Sequence, residues 1–294
     1  MITIALAAAL AAAATQDADA AGDDRVWAVE IADTRSEDAA DVDLAGAKRV
    51  DVIFEGYFLG VRVGKMSLNG LIGPRGYELS TKMRTTGVVS LVANTKQWGY
   101  SAGRIGPDGP VPLVHQFEDH KRGETPQKTQ LDFRRDDGRI RMWADPPRRL
   151  RDYVGPDDVV GAVDPLSGVL QAGLALGGTG ETPCSQTARM FDGRRRFDMR
   201  LEPDSIVELS GPGERYQGRA YKCRVRYDQI AGFKEKNVKE DTGEIEAYMY
   251  FADLPEHGVR VPVKAVVENG LASVTLLARD ISVRDASTDR MAKG

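Results

Sequence analysis

The 294-residue chain has only two cysteines and three histidines. A metal site needs ligands that converge at short spacing on a defined element. His115 and His120 would point to opposite faces of a strand, and His257 is remote in sequence. No metal and no cofactor is therefore expected. There is no Cys-x-x-Cys, which removes a thioredoxin-like redox role. No Walker or dinucleotide glycine pattern occurs. The 40 basic and 44 acidic residues leave a net charge of −4, not the basic excess of a nucleic-acid binder. No stretch of 18 apolar residues occurs, so no membrane-spanning helix is expected.

What is present begins at the N-terminus. Residues 2–14 are almost wholly apolar and rich in alanine. That run is too short to span a bilayer and suits the apolar core of a signal peptide. Small-x-small sites follow at Ala12-Ala13-Ala14 and Ala18-Asp19-Ala20, although no Lys or Arg precedes the run. Residues 1–20 are read as a signal peptide, which places the mature chain in the periplasm. Residues 21–47 are rich in Asp and Ala and are expected to be a flexible lead-in. A single β domain is expected over residues 48–284, with a flexible tail over 285–294. In an exported chain the even pair Cys184 and Cys223 suggests a disulfide. The alternative is two unpaired buried thiols.

Two-residue alternation dominates the remainder. Val50, Val52 and Phe54 share one face, with Asp51 and Glu55 on the other. Further strands are expected near residues 61–72, 77–86, 95–101 and 111–120, then around Leu131 and Phe133. Ile140, Met142 and Ala144 follow the Asp137-Gly138 turn. Residues 88–93 fit either two helical turns or a buried strand. The second half repeats the pattern at Phe197/Met199/Leu201, Tyr221/Cys223/Val225/Tyr227, Ile245/Ala247/Met249/Phe251 and Val259/Val261/Val263/Ala265. After the Asn269-Gly270 turn come Val274, Leu276 and Ala278. The fold class is mainly β: a single curled antiparallel sheet or open barrel, with one or two short helices covering it.

The best helix signal starts at Asp164, a capping residue followed by Pro165. Leu166, Val169, Leu170 and Leu174 then form an apolar stripe. The helix is read as a plug on the open side of the sheet, or else as a lid hinged at Gly177-Gly178. Gly99-Tyr100-Ser101-Ala102-Gly103 matches the nucleophile-elbow pattern. The residues that follow, 104–110, cannot form the required helix, so a strand ending in a Gly-rich turn is expected. Arg148, Arg149 and Arg151 fall in a loop, and Arg194, Arg195 and Arg196 follow a turn. With Arg200, Arg224 and Arg226 they could contact a partner or an anion such as a phospholipid head group, an acidic glycan or an acidic protein face. The competing reading is a solvated face balanced by nearby acids.

Several of these residues carry a family likeness. Phe54-Glu55-Gly56-Tyr57 with Gly60 and Gly64, Asp164-Pro165-Leu166-Ser167, and Cys184 with the run from Phe191 through Arg194-Arg195-Arg196 to Asp198 resemble the bacterial "domain of unknown function 3108" family. So does Cys223-Arg224-Val225-Arg226-Tyr227. The likeness covers about residues 49–280. It implies a secreted envelope protein with no assigned activity, and it supports pairing Cys184 with Cys223. A looser similarity to the curled half-barrels of lipoprotein carriers and envelope-integrity proteins implies a bent sheet. The expected function is a non-enzymatic periplasmic binding or scaffold protein that supports the cell envelope. It would present a concave sheet to a lipid, a lipoprotein or a partner protein. The alternative is a hydrolase acting on an envelope polymer through carboxylates from separate strands.

Overall fold

The computed structural model describes residues 29–31, 42–87, 89–92, 94–134, 139–147, 154–173, 175–176, 183–211, 216–233, 246–269 and 272–286. The first half is a meander of hairpins: β2 (Lys48–Phe58), β3 (Val61–Ile72), β4 (Gly76–Thr85), β5 (Thr95–Gly106), β6 (Gly109–Lys121), β7 (Gln127–Asp132) and β8 (Ile140–Asp145). The second half is another: β10 (Thr187–Phe191), β11 (Arg196–Leu209), β12 (Gly218–Ala231), β13 (Glu246–Leu254), β14 (Val259–Asn269) and β15 (Ala272–Asp285). β2 pairs antiparallel with β15, which joins the two meanders into one sheet. These thirteen strands are antiparallel and the sheet is not closed into a barrel. β1 (Val29–Ile31) adds to β8 in parallel, and β9 (Ala175–Leu176) pairs with β14. Helices are short: α1 (Val89–Val92), α2 (Pro156–Val159) and α3 (Pro165–Ala172). Among the described residues no helix is long and apolar enough to cross a membrane.

Alternation fixes the face of β2. Val50, Val52 and Phe54 are buried, and each such side chain contributes about 1.5–3 kcal/mol by leaving water. They meet Leu68, Leu79, Leu201, Phe251, Val261, Val263, Leu276 and Ala278, drawn from both meanders, in one cluster with Leu166 and Leu170 of α3. The sheet therefore curls around its own core and α3 fills the inner side. The two ends of the strand order also approach each other. Leu131, Ile140 and Met142 of β7 and β8 pack with Phe191 of β10, together with Val154, Val159 and Ala162. Val163 hydrogen-bonds the outer edge of β10 through Arg189 and Phe191. The seam is thus sealed by side chains and by residues 154–163, without a strand-to-strand ladder between β8 and β10.

Two differences from the sequence reading, and the outcome at the segment it left open, have simple causes. Parts of the expected lead-in belong to the fold: β1 extends the sheet, and Val42 with Leu44 covers Tyr100, Ala102 and Val114 on the outer face. The ambiguous segment at residues 88–93 contains the one-turn helix α1, at the connection between β4 and β5. The main helix ends at Ala172, not near 176, because the chain leaves it at Gly173 to run beside β14 as β9. Asp137-Gly138, Arg148, Arg149, Arg151, Leu174 and Gly177-Gly178 lie outside the described residues, as do the signal-peptide segment and residues 287–294.

Candidate functional site

Two polar features stand out, one on each face of the sheet. On the inner face Ser101 of β5 and His115 of β6 are direct cross-strand partners. Asp164 caps α3 above them, accepting from the backbone N–H groups of Leu166 (3.0 Å) and Ser167 (3.2 Å). Its carboxylate can only accept, so the hydroxyl protons point toward it. Ser101 Oγ donates to Asp164 Oδ1 at 2.5 Å, and Ser167 Oγ donates to Oδ2. Tyr77 OH then donates to Ser167 Oγ at 2.6 Å, and His115 Nδ1 lies 2.8 Å from Ser101 Oγ and 3.1 Å from Asp164 Oδ1. All five residues are buried. Burial alone would raise the Asp164 pKa. The His115 ring beside it and the Ser101 and Ser167 hydroxyls outweigh that and hold it below its usual value. Burial, and then the same carboxylate, push the Tyr77 phenol up.

The composition is Ser, His and Asp, but the geometry is not a proton relay. A relay needs serine and carboxylate on opposite ring nitrogens. Here both meet Nδ1, and Ser101 also donates directly to Asp164. Ser101 lies within β5, with no strand-to-helix elbow. The cluster anchors the N-terminus of α3 to the sheet.

The outer face carries a groove of about 640 Å³. Cross-strand register builds it. Ile53, Ser67, Lys82, Trp98 and Glu118 stand side by side on β2 to β6. The adjacent row is Glu55, Lys65, Arg84, Lys96 and His120. Ile53 and the Trp98 ring supply apolar surface, and Lys65, Lys82, Arg84 and Lys96 line it. Lys65, Arg84 and Lys96 are direct neighbours on successive strands, about 4.8 Å apart in the ladder. Like charges directly opposite are destabilising. None of these four cations makes a hydrogen bond or ion pair among the described residues. At one end the groove is bounded by the Trp98–Tyr100 stack, with centroids 6.3 Å apart, beside the cover formed by Val42. Toward the β2–β3 turn it adjoins a second hollow lined by Glu55, Tyr57, Arg62 and Arg279. Partial burial would raise the Glu55 pKa, but the Tyr57 hydroxyl, Arg62 and Arg279 hold it down at about 2.

The model of the family described as protein of unknown function (DUF3108) matches residues 52–278. The chain belongs to the DUF3108 family. A beta-barrel-like protein of domain of unknown function DUF1849 from Brucella abortus is similar in structure, at TM-score 0.45 and 9% identity. The alignment covers 82% of this DUF3108 chain and 98% of that one. No curated protein matches the sequence.

The sequence-derived candidates of this DUF3108 protein separate. Cys184 and Cys223 are joined, with Cα atoms 5.2 Å apart, inside the range a disulfide spans. Leu166 and Leu170 are buried in the core and Val169 packs at its margin. Within the arginine run Arg196 is withdrawn from the surface, and the other two are partly covered. Arg196 is 1% exposed and donates to the Asp158 carbonyl and to Asp198 at 2.6 Å each. Arg194 and Arg195 are half-buried at a turn whose backbone N–H groups Asp192 accepts, and Arg195 lies over the Phe233 ring. Alternation sets Arg196 opposite Phe197, Met199 and Leu201, on the side of Asp198, and its burial comes from the Asp158 segment packed over it. Arg200, Arg224 and Arg226 are paired with Asp228, Asp204 or Glu246, and Glu202. The groove cations drew no notice in the sequence because they are single Lys or Arg residues on separate strands. Counting register outward from the β2–β3 and β3–β4 turns aligns Lys65 with Arg84, and that signal was available.

Proposed function

We propose that this chain is a non-enzymatic binding module of the bacterial cell envelope, exported to the periplasm, that holds an anionic amphiphile in its outer-face groove. The carrying observation is the row of cations beside Trp98 and Ile53 that are unpaired among the described residues. Grouped like charge raises the free energy of the empty protein, and an anion that settles among the cations lowers it. Apolar surface next to the cations fits an alkyl chain or a ring attached to that anion. The groove volume falls within the range of small-molecule sites. The packed inner side, where the sequence reading expected a concave binding face, supports the outer groove as the binding surface in this reading. Export rests on the apolar leader and agrees with the disulfide.

The test is titration of the mature chain with lysophosphatidylglycerol below its micelle concentration, read by Trp98 fluorescence. Lysophosphatidylcholine serves as the uncharged-net control. The anionic lipid should bind at least roughly ten-fold more tightly, with the preference shrinking in high salt as screening grows. Lys65→Glu with Lys96→Glu should abolish the preference. Equal binding of both lipids, or an unaffected double variant, rejects the proposal.

A further inference from the structure

The turn end of the groove has a second unusual feature. The β2–β3 turn consists of Leu59 and Gly60, both with positive φ, at 48° and 80°. Two-residue turns of this kind favour Asn-Gly or Gly-Gly, because a side chain crowds the backbone there. Leucine in that conformation is an outlier among bulky residues. Leu59 is also 58% exposed, and Val61 beside it is 56% exposed. Neither the backbone nor the core gains from leucine at this tip.

The surroundings explain what it would gain. Leu59 N–H donates to the Ser273 carbonyl, which fixes the tip beside the start of β15. The connection between β4 and β5, holding α1 with the sequence Val-Ser-Leu-Val, is at the same end of the meander. Thr86 N–H bonds the Val63 carbonyl there, and Arg122 of the β6–β7 turn bonds the Asn94 carbonyl. The cation row lies behind this apolar end. Lys65 is four residues from Val61, about 13 Å along the strand. Arg62, Lys65, Lys82, Arg84, Lys96 and Arg279 face the two hollows against Glu55 and Glu118. In a chain of net charge −4 this is a local reversal of sign.

We infer that this end of the sheet docks on the surface of an anionic phospholipid bilayer. Leu59 and Val61 enter the interfacial layer, and the cations behind them meet the head groups. Apolar side chains ahead of a basic belt, with neither sufficient alone, is the pattern of reversible membrane attachment. Docking brings the mouth of the groove to the lipid surface. The inference rests on the lipid-binding reading for its purpose, but its test is separate.

The experiment is co-sedimentation of the mature chain with vesicles of phosphatidylglycerol and phosphatidylcholine, against vesicles of phosphatidylcholine alone. The variant is Leu59→Asn with Val61→Thr. Asparagine tolerates positive φ and threonine keeps the β-branch, so the domain should stay folded, as circular dichroism will verify. Partition to the anionic vesicles should fall roughly ten-fold or more, while lysophosphatidylglycerol binding below its micelle concentration stays as in the parent. Unchanged partition of the variant overturns the inference, as does indifference of the parent chain to phosphatidylglycerol. Partition that depends on Leu59 and Val61 in a chain that ignores the soluble lipid upholds docking and rejects the groove.

Discussion

At the scale of single residues, Asp164 concentrates the most interaction. It caps α3, accepts two buried hydroxyls and faces His115. Asp164→Ala should lower stability by about 3–5 kcal/mol in urea unfolding, because it leaves buried partners without their acceptor. Ser101→Ala should cost about 1 kcal/mol. The pH dependence follows in sign. The folded-state pKa lies below the usual carboxylate value, so the contribution of Asp164 is complete above that value. It is lost as pH falls through the folded-state pKa. Asp164→Asn should flatten the acid limb of a stability-against-pH curve. The cap itself was legible, since Asp-Pro before an apolar stripe has one reading. Its tie to Ser101 and His115 was not, because no local pattern says which strands a distant helix will cross.

At the scale of elements, α3 is held by close approach. A Cβ on Gly168 would collide with the Met190 side chain, which is itself buried. Gly168→Ala should therefore destabilise by about 1–3 kcal/mol through overpacking. The same change should cost less with Met190→Ala present, giving a coupling of about 0.5–3 kcal/mol in a double-mutant cycle. The apolar stripe found by helical period is real at Leu166, Val169 and Leu170. Ser167 and Gly168, off that stripe, are buried as well, since β10 and Tyr77 enclose the helix beyond its apolar face. The cation row makes the opposite kind of prediction. Arg84→Gln should raise the urea midpoint by relieving Lys65 and Lys96, and at the same time weaken lysophosphatidylglycerol binding. A loss of stability with unchanged binding would show that the row serves the fold.

At the scale of the whole molecule, strand faces were readable because burial on one side imposes a period of two. Val259, Val261 and Val263 are buried as that period requires. The curl was readable only as an expectation, and the seam not at all. Its packing of Leu131 and Met142 against Phe191 joins residues whose only common property is apolarity. The disulfide crosses 39 residues and ties the segment before β10 to β12. Replacing both cysteines by serine should remove about 4 kcal/mol, in the chain-entropy account, without altering the sheet signal in circular dichroism below the transition.

The pairing of β2 with β15 has a consequence for assembly. A nascent chain emerges with the first meander complete but its central edge still lacking a mate. Only when the last strand of the second meander arrives can that edge be capped and the core enclosed. The keystone is thus laid at the end, and long-range closure of this kind is slow.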